Sequence, residues 1–101
     1  MAIDRGWVTE QLRVEGRAIH CRRSVGGSGT PLVHIHGFAI SGAYLMPTAR
    51  LLADRWVNVV PDLPGYGLSE RRDDVLDIPA LAGALLAVLD ALDIDLSLIH
   101  I

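Results

Sequence analysis

Two short, almost wholly apolar segments, one on each side of a helical pattern, constrain the fold of this chain most strongly. Residues 31–36 (PLVHIH) and 57–60 (VNVV) are long enough for strands and too short for helices. Such runs are typical of strands buried on both faces. Between them, residues 44–56 place leucine and alanine three or four positions apart, and Pro47 suits the first turn of a helix. A strand, a crossover helix and another buried strand predict a parallel α/β sheet.

The segments on either side extend this unit. Residues 7–14 alternate between apolar and polar, and residues 17–23 have strand composition, so the short turn between them predicts an antiparallel hairpin. Downstream, Asp77 is a good helix cap, and an apolar stripe follows it: Leu81, Leu85, Val88, Leu89 and Leu92. Residues 96–101 (LSLIHI) again have strand composition. Two helices cannot cover both faces of five strands, so we expect an incomplete α/β domain.

Composition excludes several classes of function. A net charge of −3 gives no electrostatic footprint for nucleic acid, and no apolar stretch approaches the length of a membrane span. All nine basic residues are arginine, which rules out a phosphate-binding loop that ends in lysine and a Schiff-base lysine. This bias is typical of a GC-rich, bacterial genome. A single cysteine, Cys21, and the lack of a signal-peptide pattern predict a cytoplasmic protein.

Two histidines in the stretch LVHIHGF raise the question of a metal site. His34 and His36 would share one face of a strand, as two ligands could. A zinc site needs a third or fourth ligand, and neither His20 nor His100 comes with an acidic cluster nearby. We therefore predict no metal and no cofactor, with His34 facing the packing of the sheet.

The order of motifs resembles the N-terminal part of an α/β-hydrolase of the fold-1 type. An apolar strand ends in HGF at 36–38, a helix carries PTARLLA at 47–53, and the next strand runs into PDLPGYGLS at 61–69. A His-Gly pair alone is weak evidence, but its combination with PDLPGYGLS at this spacing is specific. The resemblance covers almost the whole of residues 1–95 and implies the first half of the hydrolase sheet.

The resemblance also implies a role for the turn after His36. In this family a backbone N–H just after His-Gly binds the oxyanion of acyl-transfer intermediates. By position that donor is Phe38. Gly37 would let the backbone turn tightly and His36 would brace the loop. Asp62 precedes any nucleophile in the chain, whereas the family's catalytic acid follows it, so Asp62 is expected to cap its own turn.

The nucleophile itself is missing from these 101 residues. No G-x-S-x-G occurs, and the resemblance places the nucleophile, acid and histidine downstream. The last six residues are unusual, because LSLIHI is what CTG TCT CTT ATA CAC ATC encodes, which resembles the transposon end used in sequencing libraries. We therefore expect residues 96–101 to be translated adapter. The alternative is that LSLIHI is the true fifth strand.

The predicted function is that of a fragment of a serine-type hydrolase that cleaves an ester or related acyl bond of a small molecule, inactive by itself. Three alternatives stay open: a non-catalytic α/β module, a metal-binding module, and a parent with an aspartate nucleophile, as in epoxide hydrolases and dehalogenases. Those relatives usually carry proline where this chain has Ala39. Carbon–carbon bond hydrolases also stay possible.

The open strand edge of an incomplete sheet predicts that the isolated chain is unstable. Its uncovered apolar faces should cause aggregation or a loosely ordered state on expression alone. Thermal unfolding followed by circular dichroism, together with light scattering, checks this. A sharp two-state transition from a monomer would contradict it.

Overall fold

Six strands form one mixed sheet in the computed structural model, which describes residues 3–4, 6–37, 40–71, 76–94 and 98–100. In chain order the strands are β1 (Ile3–Asp4), β2 (Trp7–Val14), β3 (Arg17–Ser24), β4 (Leu32–His34), β5 (Asn58–Pro61) and β6 (Leu98–His100). A 3₁₀ turn, Gly42–Leu45, leads into α1 (Met46–Leu52), and α2 (Ile78–Ala91) connects β5 towards β6. The order across the sheet is β1-β2-β3-β5-β4-β6.

The sheet changes once from antiparallel to parallel pairing, at β5. β1, β2 and β3 are antiparallel neighbours, and β3 also runs antiparallel to β5. β4 is parallel to β5 on one side and to β6 on the other, with Leu32 opposite both Asn58 and Leu98. The hairpin of β2 and β3 closes through Glu15 and Gly16, which both have positive φ, as a two-residue turn with the sheet's twist requires.

The two helices lie on opposite faces of the sheet. This follows from Val59 and Val60 of β5, since neighbouring residues of one strand point to opposite sides. Val60 packs with Trp7, Met46 and Ala49 beneath α1. Val59 packs on the other face with Cys21, Val33 and Leu89 of α2, and a second cluster there joins Val14, Ile19 and Val88. Helices on both faces of parallel strands are the arrangement that the buried apolar segments predict.

The predicted α/β class and the incomplete sheet are confirmed, with shifts in several boundaries. The strand expected over residues 31–36 covers only Leu32–His34, and the one expected over 57–60 is Asn58–Pro61. The helix expected to reach residue 56 ends at Leu52, because the chain tightens into a turn there: the Ala53 N–H donates to the Arg50 carbonyl and the Arg55 N–H to the Leu52 carbonyl, both three residues back. β1 was not predicted, since two residues carry no periodic signal.

The prediction of a strand over 96–101 agrees with β6 for residues 98–100, whose backbone pairs with β4. Residues 95–97 and 101 lie outside the described residues. An apolar peptide of either origin can add to an open strand edge, so native sequence and translated adapter both predict this pairing.

In the full-length protein, Asp77→Ala should lower the free energy of unfolding by about 1 kcal/mol. The Asp77 carboxylate caps α2 by accepting from the Ala80 N–H at 2.9 Å, and this N–H would lose its partner. Asp90→Ala is the matched control at the other end of α2, where a negative charge opposes the helix dipole, so its removal should cost nothing. Urea denaturation compares the two; equal losses would contradict the capping role.

Candidate functional site

At the carboxyl end of β4 the order in which strands are added to the sheet reverses. From β4 the chain crosses to β5 on one side, and β6 later pairs on the other side of β4. In open α/β sheets such a reversal leaves a crevice beside the carboxyl ends of the strands, where ligands bind. His36, Gly37 and the turn after Pro61 lie at this edge, so the sequence motifs meet where a site is expected.

His36 joins the two turns that follow β4 and β5. Its ring is buried, and Nε2 accepts a hydrogen bond from the Leu63 N–H at 3.0 Å. The ring proton is therefore on Nδ1, which donates to the Gly37 carbonyl at 3.0 Å. The Tyr66 ring lies against it, with centroids 5.0 Å apart. Both nitrogens are thus occupied within the loop, an arrangement that suits a brace better than a proton shuttle.

The segment after His36 carries the predicted oxyanion donor. Gly37 is exposed at the edge of the sheet. Phe38 and Ala39 lie outside the described residues, so the structure does not place the Phe38 N–H. The chain continues at Ile40 and enters the 3₁₀ turn, where the Ser41 hydroxyl accepts from the Ala43 N–H at 3.3 Å.

Asp62 is fully buried and connects three parts of the chain. Its Oδ2 accepts from the Leu68 N–H at 3.0 Å, which confirms the predicted capping of its own turn. Its Oδ1 also accepts from the Gly42 N–H at 2.7 Å, and the Arg22 guanidinium reaches both oxygens at 3.0 and 3.4 Å. No pattern in the sequence indicated the Gly42 and Arg22 contacts, because these residues stand 20 and 40 positions away.

The negative charge of Asp62 is compensated by the neighbouring Arg22 and by two backbone N–H groups. Burial by itself would raise the pKa of this carboxyl, but the Arg22 guanidinium and the N–H groups of Leu68 and Gly42 together lower the pKa below its ordinary value. Asp62 is therefore ionised at neutral pH and held as an acceptor of hydrogen bonds. It is not placed as a general acid.

The end of the turn, Ser69 and Glu70, is hydrogen-bonded to β3. The Ser69 hydroxyl accepts from the His20 N–H at 2.9 Å and donates to the Asp62 carbonyl. The Glu70 N–H donates to the Ala18 carbonyl at 2.8 Å, and the Glu70 carboxylate accepts from the Ala18 N–H at 3.0 Å. These contacts fix the loop against the sheet, and sequence reasoning had assigned Ser69 and Glu70 no part in this.

The first histidine of the motif, His34, packs in the interior of the sheet, as predicted. His34 is fully buried, and its Nε2 lies 2.7 Å from the Asn58 side-chain oxygen. Asn58 in turn donates from its amide group to the Trp56 carbonyl at 2.8 Å. Within the described ranges there is no group of three or more His, Cys, Asp or Glu residues that could hold a metal ion.

Cys21 has no chemical access to this edge. It is fully buried in β3, and burial raises the pKa of its thiol to about 12, with the Glu10 carboxylate adding to the rise. A thiolate nucleophile at neutral pH is therefore excluded at this position.

In the full-length protein, replacing His20 by glutamine should flatten the pH dependence of the free energy of unfolding between pH 7 and 5. Burial lowers the pKa of His20 and the Arg22 charge lowers it further, while Asp62 opposes the shift. The unfolded chain thus takes up the proton first, so this contribution is full above about pH 6.5 and is lost as the pH falls through the folded pKa. Urea titrations at several pH values measure the slope; identical slopes in both proteins would contradict this.

An apolar hollow of about 390 Å³ opens beside Gly37, between the two turns and α2. Leu81 and Leu85 of α2 face it, and Ile78 on the same helix is largely exposed. Apolar side chains left open on this scale are typical of a surface that the remainder of a domain covers. Among the described helices, none is long and apolar enough to cross a membrane.

Curated proteins that resemble this chain are larger enzymes. It is 40% identical over 63 residues to a pimeloyl-[acyl-carrier protein] methyl ester esterase of Stenotrophomonas maltophilia, covering 62% of this chain. It is 37% identical over 90 residues to the dihydrolipoyllysine-residue acetyltransferase component of an acetoin cleaving system from Pseudomonas putida, covering 88%. The matched region spans 24% of each of these relatives. No protein-family profile matches the chain.

Solved structures reproduce nearly all of the fold. Cfl2 from Burkholderia cenocepacia superposes with a TM-score of 0.86 at 29% identity, covering 93% of this chain and 32% of that one. The N-acyl homoserine lactonase AidH gives 0.84 at 30% identity, over 92% and 35%. The haloalkane dehalogenase DatA from Agrobacterium tumefaciens gives 0.80 at 29% identity, over 88% and 30%. The chain therefore belongs to the α/β-hydrolase fold proteins and corresponds to the N-terminal part of their domain.

Proposed function

We propose that the full-length protein containing this chain is a serine-type hydrolase that cleaves an ester or related acyl bond of a small molecule. In this proposal the chain supplies the oxyanion loop, residues 37–42, and the Phe38 N–H is the donor that it contributes. The serine, the acid and the histidine lie downstream. The same reasoning assigns no cofactor and no nucleic-acid partner, and a cytoplasmic location.

The observation that supports this most is the attachment of both ends of the loop. His36 holds the start of the loop through the Leu63 N–H, and Asp62 holds its end through the Gly42 N–H. A donor that stabilises a tetrahedral intermediate must be fixed before charge develops on the substrate oxygen. The hydrogen bonds at both ends of the loop support such a role, and one oxyanion donor can be worth roughly 10²–10³ in rate.

The relatives' activities support acyl chemistry in particular. An ester hydrolase, an acetyltransferase and a lactonase are named among the proteins that this chain resembles. Hydrolysis of an ester or lactone and transfer of an acetyl group all form a tetrahedral intermediate at an acyl carbon. The shared requirement is an oxyanion site, whereas the acceptor of the acyl group differs.

The likeness to a haloalkane dehalogenase favours a second candidate, in which an aspartate attacks an alkyl carbon. Such a reaction displaces halide and forms an alkyl ester on the enzyme before water releases the product. Ala39 stands where proline is usual in those enzymes. We therefore place this candidate second.

Sequencing the source gene across codon 95 and expressing its full-length product tests the proposal. We expect the frame to continue without LSLIHI into a strand and G-x-S-x-G. The product should hydrolyse p-nitrophenyl esters, and a fluorophosphonate should label that serine, as mass spectrometry would show. The 101-residue chain is the matched control and should show neither. An aspartate in place of the serine of G-x-S-x-G, together with release of halide, would establish the second candidate. A gene with neither serine nor aspartate at that position would indicate a non-catalytic module.

A further inference from the structure

We propose that Asp62 is the positioning residue for the oxyanion loop and that Arg22 fixes Asp62 in this role. The inference rests on the proposed hydrolase function, because it assigns the loop's geometry to a residue that touches no substrate. It extends the predicted role of Asp62 from its own turn to the neighbouring one.

One dipeptide secures both ends of the loop. The Leu63 N–H donates to His36 at the start, and the Asp62 Oδ1 accepts from the Gly42 N–H at the end, at 3.0 and 2.7 Å. Asp62 directly follows β5, and its own N–H donates to the His20 carbonyl of β3. The two ends of the loop, at His36 and Gly42, are thereby held relative to two neighbouring strands.

The orientation of Asp62 is itself determined by charge. The Arg22 side chain is only 11% exposed and the Asp62 side chain 0% exposed, so little solvent screens the pair. The guanidinium reaches both carboxylate oxygens, and such paired contacts restrict the plane of the carboxylate. With Arg22 in place, Oδ1 is aimed at Gly42 and Oδ2 at Leu68.

The packing around Gly42 shows how closely the loop approaches this pair. A Cβ on Gly42 would lie 2.8 Å from Asp62 Oδ1 and 2.8 Å from Arg22 Nη1. The absence of a side chain is therefore required for the 2.7 Å hydrogen bond. The contact is a close approach of backbone to carboxylate within the interior.

Asp62→Asn is the discriminating substitution, because it keeps the shape and replaces one acceptor oxygen by an NH₂ donor. Either the Gly42 N–H or the Leu68 N–H then faces a donor. In the full-length enzyme we expect kcat for ester hydrolysis to fall about 10–100-fold with little change in KM, since a small displacement of a catalytic group costs rate. The affinity for a boronic acid that forms a tetrahedral adduct should fall in parallel.

Asp77→Ala is the matched control, because it removes a hydrogen-bonded carboxylate at α2 and should reduce stability without altering the loop. Its kcat per folded molecule should equal that of the wild type. If Asp62→Asn behaves like Asp77→Ala, with both KM and kcat preserved in the folded fraction, the positioning role is wrong. If Asp62→Asn does not fold, Arg22→Gln keeps the carboxylate but loses the paired contact, and preserved kcat there overturns the inference.

Hydrogen exchange separates this inference from the proposed function. The Gly42 amide should exchange faster in Asp62→Asn than in the wild type, whatever the reaction is. Unchanged exchange at Gly42 would refute the anchoring even in an active enzyme. Faster exchange in a protein that hydrolyses no ester would instead count against the hydrolase proposal and leave the anchoring in place.

Discussion

Asp62→Ala should lower the free energy of unfolding of the full-length protein by about 3–5 kcal/mol, as is usual when one partner of a buried ion pair is removed. The change leaves the Arg22 guanidinium without a counter-charge in the interior. It also removes the acceptor of the Gly42 and Leu68 N–H groups. Urea denaturation measures the loss, with the midpoint and slope fitted separately.

Two further variants identify the source of that loss. Asp54→Ala removes an exposed carboxylate from the turn after α1 and should change stability by less than about 0.5 kcal/mol. Arg22→Met in the Asp62→Ala background should recover part of the loss, because the unpaired charge disappears. No recovery in the double variant would show that the ion pair is not the cause.

Gly67→Ala should be the second most damaging change, with an expected loss of about 2–5 kcal/mol. Gly67 has φ +53°, which a side chain adopts only with strain. A Cβ there would also lie 2.4 Å from Asp62 Oδ2 and 2.8 Å from the Cβ of Ser41. The methyl group would therefore displace the carboxylate that holds both turns.

Gly65→Ala is the control that separates backbone strain from the steric clash. Gly65 has φ +85°, but a Cβ added there meets no atom within 4 Å. It should cost only the strain of a positive φ, about 1–2 kcal/mol. The difference between the stability losses of the two variants measures the cost of displacing Asp62. Equal losses would mean that the turn around Gly67 relaxes without moving the Asp62 carboxylate.

The fold class was accessible from the sequence because its signals are local. Buried strands, the hairpin turn at Glu15 and Gly16, and the cap at Asp77 each depend on a few neighbouring residues, and all are present in the structure. The boundaries were less accessible. The helix after Gly42 begins as a 3₁₀ turn and ends at Leu52, where the way back to β5 requires the chain to turn.

For the candidate site too, the local motifs were predictable from the sequence and the long-range contacts were not. The sequence placed HGF and PDLPGYGLS at the ends of two strands, and the structure brings His36, Gly37 and residues 61–69 to one edge of the sheet. It gave no reason to connect Arg22 or Gly42 with Asp62. The Arg22 contact depends on β3 lying beside β5, and no local pattern in the sequence specifies that strand order.

The sequence by itself therefore determined the α/β class, the turns that end the strands and the absence of a nucleophile motif, because periodicity and turn chemistry act over a few residues. Only the tertiary structure decided that β4 lies between β5 and β6, and that the Asp62 carboxylate accepts from the Gly42 N–H. The physical reason is separation along the chain. Charge pairing and hydrogen bonding act at about 3 Å in space, and folding alone brings residues 20 or 40 positions apart within that distance.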